Sequence, residues 1–165
     1  MAKKSKAKSK VKSKAKAKPK SKAKKPCVEP RSHVVHADPE AAKTAEALPL
    51  PESVSETPLD EKSPAEWAYE RLVIYIQNFE EQLDNEHEIA VGFVGGDAGV
   101  LRIEGLGFFD PDIVTFYGTD VDGTKTQLIQ HVTQLSVMLR AIPKESTDVA
   151  AKRIGFRLVA DLESE

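Results

Sequence analysis

The sequence predicts an α+β fold, with one N-terminal amphipathic helix packed on an antiparallel sheet, or on a small partly open β-barrel, of about five strands. Three observations carry this prediction. A helix start signal at Ser63 precedes apolar residues at three-to-four spacing. After His87 the apolar residues alternate with period two, as in strands. Residues 1–62 contain no Ile, Phe, Tyr or Trp, so the core must come from the residues that follow.

Residues 1–25 form a basic tail rich in Lys, Ala and Ser, which we predict to be disordered. The tail holds thirteen lysines and no acidic residue. A solvated polycation of this kind binds polyanions whatever follows it, so we expect non-specific contact with nucleic acid or another polyanion. An anionic membrane, an acidic protein, or a purely solubilising role are the alternatives. The lysines concerned are Lys3, Lys4, Lys6, Lys8, Lys10, Lys12, Lys14, Lys16, Lys18, Lys20, Lys22, Lys24 and Lys25.

Residues 26–62 are predicted to be an acidic, Pro-rich and disordered linker. The segment has no aromatic residue and few large aliphatic ones, so burial cannot offset its chain entropy. Residues 26–165 together carry 11 Lys and Arg against 26 Asp and Glu, a net charge of −15. The acids of the linker could therefore fold back on the lysines and weaken their binding to other anions.

A single α+β domain is predicted over residues 63–160. Ser63-Pro64-Ala65-Glu66 forms a capping box with proline at the first helical position. The predicted buried stripe of this helix consists of Ala68, Leu72, Tyr75 or Ile76, Phe79 and Leu83, and Asp84-Asn85 end the helix. For Trp67 and Tyr69 we favour packing onto the sheet over stacking on nucleobases.

The strands are predicted from alternation and from turn residues between them. Turns are expected at 95–99, 110–112 and 120–123, which are rich in Gly, Asp or Pro. Residues 128–142 also show helical spacing, but their β-branched content favours a strand, a kink near Thr133, and a further strand. The predicted strands cover 87–94, the run after Gly99, 113–118, 125–132, 135–141 and, last and short, 154–159. Residues 161–165 are expected to be an acidic C-terminal tail.

His131 lies in the most unusual polar cluster inside an apolar run. We favour a network in which His131 and its neighbouring glutamines bond the backbone or one another. The alternative is a small-ligand or enzymatic site whose ligand-contact candidates are Gln130, His131, Gln134 and Tyr117. No catalytic residue, metal site or cofactor is predicted. Asp120-x-Asp122-Gly123 resembles the start of a calcium loop, but the acids required at loop positions five and twelve are absent, so we interpret it as a turn.

Four short motifs together resemble a bacterial domain family of unknown function. The resemblance extends over about residues 64–156 and implies no activity and no catalytic residues. The motifs are Phe116-Tyr117-Gly118, Asp122-Gly123, the run LIQHVTQLS at 128–136 and Arg153-Ile154-Gly155-Phe156.

A second resemblance is architectural. A capped helix, five short strands and a histidine after the fourth is similar to the order in Sm-like proteins such as the bacterial RNA chaperone Hfq. That resemblance implies a small barrel that assembles into a ring. The usual Tyr-Lys-His of that family is Ile129-Gln130-His131 here, without the tyrosine and the lysine.

These observations together predict a binding module and not an enzyme, with an oligomeric assembly protein as a further alternative. No stretch is long and apolar enough for a transmembrane segment, and the single cysteine, Cys27, fits a reducing compartment. We expect a cytoplasmic protein, associated with the nucleoid if the tail binds DNA. Residues 63–165 have a net charge of −10, and repel phosphate unless the late basic residues cluster. These are Arg140, Lys144, Lys152, Arg153 and Arg157.

Overall fold

A computed structural model of the protein describes residues 30–93, 99–146 and 149–164. The basic tail and most of the turn predicted at 95–99 lie outside these ranges. The described chain confirms a mixed α+β architecture with helices on one face of a five-stranded antiparallel sheet.

The sheet has the strand order β4-β3-β2-β1-β5, and each neighbouring pair is antiparallel. Both β4 and β5 have a single neighbour among the described strands, so the sheet is open. Of the two predicted arrangements, an antiparallel sheet and a small partly open β-barrel, the structure thus has the open sheet. The strands are β1 (His87–Phe93), β2 (Val100–Phe109), β3 (Ile113–Thr119), β4 (Lys125–His131) and β5 (Val137–Pro143).

Three α-helices accompany the sheet: α1 (Glu52–Glu56), α2 (Pro64–Glu81) and α3 (Gly155–Leu162). The predicted capping box is present at the start of α2. The Glu66 N–H donates to Ser63 Oγ at 3.0 Å, and the Ser63 N–H donates to Glu66 Oε2 at 3.3 Å. These two bonds satisfy backbone donors that the first turn of a helix leaves without partners.

The buried stripe of α2 is shifted by about a third of a turn from the predicted one. Its fully buried apolar residues, which pack towards the sheet, are Ala65, Tyr69, Val73 and Ile76. The predicted residues Ala68, Leu72, Phe79 and Leu83 lie partly buried beside this stripe. The apolar arc of α2 is wide because α2 contacts α3 and the N-terminal segment as well as the sheet.

The core lies between α2 and one face of the sheet. The Phe93 and Phe116 rings meet edge to face with centroids 4.9 Å apart, and Tyr69 of α2 lies 5.2 Å from Phe108 of β2. The prediction that Tyr69 packs onto the sheet is therefore confirmed. The strand, kink and strand predicted for residues 128–142 are also confirmed, with a one-turn 3₁₀ helix, Val132–Gln134, as the kink.

The strand predicted at 154–159 is wrong, because these residues belong to helix α3. A strand would place Ile154, Phe156 and Leu158 on one face, but Phe156 is 69% exposed. Leu158 and Leu162, four positions apart, are the residues that α3 buries. The predicted acidic tail at 161–165 accordingly begins inside this helix. An apolar run of six residues carries too few periods to separate strand from helix.

The predicted disordered linker also differs from the structure, which places residues 30–62 against the domain. Val54 of α1 is 2% exposed and belongs to the core cluster. Lys62 is buried and bonds Glu70 of α2. The composition of a segment indicates only how much apolar surface the segment can bury by itself. Residues 30–62 instead pack on apolar surface that belongs to α2. Residues on the N-terminal side of the predicted domain start at 63 thus contribute to its packing.

Candidate functional site

His131 ends β4 and joins two neighbouring segments. Its Nε2 lies 3.0 Å from Asp112 Oδ2, and its Nδ1 lies 2.8 Å from Thr133 Oγ1. The Thr133 N–H also donates to Nδ1 at 3.2 Å, so Nδ1 is an acceptor and the Nε2–H donates to the carboxylate. The Val132 N–H donates to the Asp112 carbonyl at 2.8 Å. These bonds form a network that fixes the kink after β4. Its partners are Asp112 and Thr133, and not the neighbouring glutamines that the sequence analysis favoured.

The structure does not bring the four ligand-contact candidates together. Gln130 lies opposite Val114 on the helix-covered face of the sheet, whereas His131 lies on the other face. Tyr117 lies on the same face of the sheet as His131, but its partner on β4 is Gln127. Gln127 lies four positions before His131, so Tyr117 and His131 are roughly 13 Å apart. Gln134 is exposed on the 3₁₀ helix. A single pocket built from these residues is not present in the described chain.

Tyr117 covers two glycines of the neighbouring strand β2. A Cβ atom added to Gly105 would lie 3.3 Å from the Tyr117 ring, and one added to Gly107 would lie 3.0 Å from Thr115 Oγ1. The tyrosine ring thus occupies space that two missing side chains leave open on the exposed face. This packing is sufficient to explain an aromatic residue at position 117.

The late basic residues cluster in part. Lys152, Arg153 and Arg157 line one cavity of about 390 Å³, together with Glu104. Lys144 instead forms an ion pair with Glu86, and Arg140 lines a different cavity beside Arg102. Three of the five predicted residues therefore share one surface of the domain.

Among the described residues three glutamates are buried, and each has a partner. Glu88 bonds Arg102 at 2.9 Å, Glu70 bonds Lys62 at 2.5 Å, and Glu80 accepts the N–H groups of Ile154 and Gly155 at 3.0 and 2.7 Å. Burial raises the pKa of Glu80, and the two N–H donors and Arg153 only partly oppose it. Burial likewise raises the pKa of Glu70, with Lys62 opposing. These carboxylates hold the fold together at contacts between elements.

A groove on the outer side of α2 was not predicted. Residues 30–50, which we call the strap, run across this helix: Tyr75 donates to Glu46 Oε1 at 2.5 Å, and Asn78 donates to the Lys43 carbonyl at 3.1 Å. Between strap and helix, the Arg71 guanidinium carbon lies 3.7 Å from the centroid of the Trp67 ring. A tryptophan and an arginine four positions apart on a helix were the available sequence signal.

Within residues 30–93, 99–146 and 149–164, no group of three or more His, Cys, Asp and Glu side chains is placed to hold a metal ion. None of the helices in the same ranges combines the length and the apolar character needed to cross a membrane.

The described chain thus defines a small α+β domain whose sheet is covered by helices on one face. The model of the family DUF6173, a family of unknown function, matches residues 59–157, which is more than half of the chain, and the protein belongs to this family. The expected membership of a family of unknown function is confirmed at this level. No curated protein and no solved structure matches the chain.

Proposed function

We propose that the protein is a non-enzymatic binding module that associates with nucleic acid, or another polyanion, through residues 1–25. The observation that carries this proposal is the separation of charge: thirteen lysines without one acid, followed by 140 residues with a net charge of −15. Each phosphate that a lysine neutralises releases counterions, so the affinity is electrostatic and independent of sequence. A cytoplasmic location fits this activity.

The charges of the domain support the proposal that the tail, and not the domain, attracts the polyanion. Of its eight cationic side chains, Arg102, Lys144 and Arg153 are engaged with acids or carbonyl groups of the same domain. With a net charge of −10 over residues 63–165, the domain as a whole repels a phosphate backbone. The tail therefore supplies the attraction, and the partial cluster of Lys152 and Arg157 gives a secondary contact once the polyanion is held.

The test compares the full chain with a variant of equal length in which all thirteen tail lysines are replaced by glutamine. Anisotropy titrations with labelled duplex DNA and single-stranded RNA are run over a salt series. If about half of the lysines engage, log K is expected to fall against log salt with a slope of about −6. The glutamine variant should lose most of the affinity. Binding that is flat with salt, or equal in the variant, would refute the proposal.

A second proposal is self-association through the edges of the sheet. Ile129 on the edge strand β4 is 62% exposed, and Phe109 on the same face is 74% exposed. Unpaired edges are templates for strand pairing. Pairing of β4 in one copy with β5 in the next is heterologous, and it would close into a ring of the kind that the Sm-like resemblance implies.

Light scattering at several protein concentrations tests this second proposal. We expect a concentration-dependent increase in mass for the wild type, and its loss in Ile129→Lys, which places a charge on the edge. Val121→Lys is the matched control, because Val121 is as exposed but lies in the β3–β4 turn. A monomer at every concentration would contradict self-association.

A further inference from the structure

Two adjoining cavities lie between α2 and the strap. Their volumes are about 290 and 310 Å³, and they share the lining residues Pro30, Ser32, Leu48 and Leu50. Each is near the lower end of the range for small-molecule pockets. Trp67 lines the first cavity, whereas Arg71 lines the second. Together they form one groove, with an apolar half and a polar half.

Arg71 has no anionic partner in the part of the chain that the structure describes. Its guanidinium lies over Trp67, and it makes no hydrogen bond or ion pair to any described residue. The other partly buried arginines differ, since Arg102 bonds Glu88 and Arg153 bonds two carbonyls. Burial lowers the pKa of Arg71, because a cation loses hydration there. A guanidinium that is partly shielded from water offers several N–H donors for a carboxylate or phosphate.

The other charged groups that line the second cavity leave it net positive. Arg31 and His33 face it from the strap, and Glu46 is the one acid among the residues lining it. Oε1 of Glu46 accepts the Tyr75 hydroxyl, which lowers the pKa of this carboxyl. Two arginines therefore face one carboxylate, so an added anion meets attraction as it enters.

We propose that this groove binds a small molecule that carries a carboxylate or phosphate on a planar apolar body. The anion contacts the Arg71 guanidinium, and the body lies beside Trp67 against Leu48 and Leu50. The strap lies outside residues 59–157 that match the family, so this site belongs to an extension of the domain. The site does not depend on the tail, and it stands apart from the proposed polyanion binding.

The test uses Trp67, which is the only tryptophan of the chain, as a local reporter. The full chain is titrated with phenyl phosphate and with benzoate while Trp67 fluorescence is followed. Phenol and inorganic phosphate, each of which carries one half of the proposed ligand, serve as comparison probes. We expect a saturable change with at least one aromatic anion, at an affinity about tenfold or more above that of either half.

Variants assign the binding to Arg71. Arg71→Gln should weaken aromatic-anion binding about tenfold, while Arg140→Gln, which changes an exposed arginine on strand β5, should leave it unchanged. Glu46→Gln removes the one acid of the cavity and should tighten binding. Ligand-detected NMR repeats each titration, because the substitution at Arg71 also alters the environment of the fluorophore.

Several results would overturn the proposal. These are the absence of saturable binding for both aromatic anions, equal affinity in Arg71→Gln, and binding that disappears only when the tail lysines become glutamines. The last result would assign the signal to the tail, and it separates failure of this site from failure of the polyanion proposal. Preference for benzoate or for phenyl phosphate identifies which anion the groove takes.

Discussion

Glu80 shows how a single buried carboxylate positions an element. It is 5% exposed, and its two oxygens accept the N–H groups of Ile154 and Gly155 at the start of α3. A helix start leaves such donors without partners inside the helix, so a side chain of α2 caps α3 from outside. Gly155 allows the close approach, since a Cβ there would lie 2.9 Å from the Gln77 Cα.

Replacing Glu80 by alanine should therefore destabilise the protein. Both capped N–H groups lose their acceptor, and the Gly155 N–H stays buried, which alone costs about 1–3 kcal/mol. Urea unfolding followed by circular dichroism measures the change in the free energy of unfolding. Glu81→Ala is the control, because Glu81 is exposed on the same helix, and it should change stability by less than about 0.5 kcal/mol. Equal effects of the two substitutions would contradict the capping role.

The pH dependence of Glu80→Gln follows from the raised pKa of Glu80. The folded state holds this proton more tightly than the unfolded state does. The contribution of Glu80 to stability is therefore full below the unfolded carboxyl pKa of about 4.3, and it is lost as pH rises through the higher folded value. Glutamine does not titrate. The wild-type stability minus that of Glu80→Gln should be larger at about pH 4 than at about pH 7. A difference that increases with pH would show that the pKa is lowered instead.

Gly118 of β3 lies against the backbone of β2, at a position where only glycine fits. A Cβ at this position would lie well inside van der Waals distance of the Arg102 carbonyl oxygen, which is backbone and cannot move aside. Gly118→Ala should separate β3 from β2 and cost about 3 kcal/mol or more. Gly92→Ala is the matched control, because its Cβ would meet only ordinary contacts, at 3.8 Å from Met138. Thermal unfolding of both variants decides the prediction, and equal melting temperatures would contradict it.

At the scale of elements, Lys62 attaches α1 to α2. Its Nζ donates to the Val54 carbonyl at 2.7 Å and to both oxygens of Glu70, and its side chain is 1% exposed. The two side chains of this ion pair are together more buried than those of any other ion pair in the described residues. It makes the residues before Ser63 part of the folded domain.

Breaking this pair on one side should cost more than removing both charges. Lys62→Met leaves the buried Glu70 without its cation, and we expect a loss of about 3 kcal/mol in the free energy of unfolding. In the double variant Lys62→Met with Glu70→Gln, part of this loss should be recovered, since no buried charge remains. The double-mutant cycle, measured by urea unfolding, gives the coupling. Strictly additive effects would show that the two side chains do not depend on each other.

The elements differ in how far the sequence determined them. Helix α2 and strands β1 to β5 were predictable because each carries several periods of its own pattern and explicit end signals. Helix α3 was not predictable, because the six residues 154–159 fit the strand period of two as well as the helical period of 3.6. Only the burial of Leu162 and the cap from Glu80 identify the helix. The same limit applies to the candidate site. Adjacent residues such as Gln130 and His131 point to opposite faces once β4 forms, so proximity in sequence did not indicate a shared pocket.

In the whole molecule, the division into a basic tail and an acidic remainder was visible in the sequence. The position of the acidic side chains on the surface of the fold was not. Glu52, Glu56, Glu66 and Glu163 line one cavity of about 490 Å³ between α1, α2 and the end of α3. Composition assigned two of these glutamates to a linker and one to a tail. The fold instead concentrates them on one surface, where their combined potential is stronger than that of scattered charges.

This acidic surface should compete with nucleic acid for the tail lysines, a prediction that rests on the proposed function. Replacing Glu52, Glu56 and Glu163 by glutamine removes three exposed charges without touching the Lys62–Glu70 pair. Duplex-DNA binding by the full chain should then tighten several-fold at low salt. The gain should vanish at about 1 M salt, where the Debye length is only about 3 Å.

A control variant separates the local effect from that of net charge. Glu40, Glu61 and Glu81 are also exposed, do not line this cavity, and change the net charge by the same amount when replaced by glutamine. If the tail is attracted to the acidic surface in particular, the first variant should gain more affinity than the control in anisotropy titrations. Equal gains would mean that only net charge matters. No gain in either variant would mean that the tail lysines are not restrained by the acids of their own chain, and the autoinhibition expected from the sequence would then be wrong.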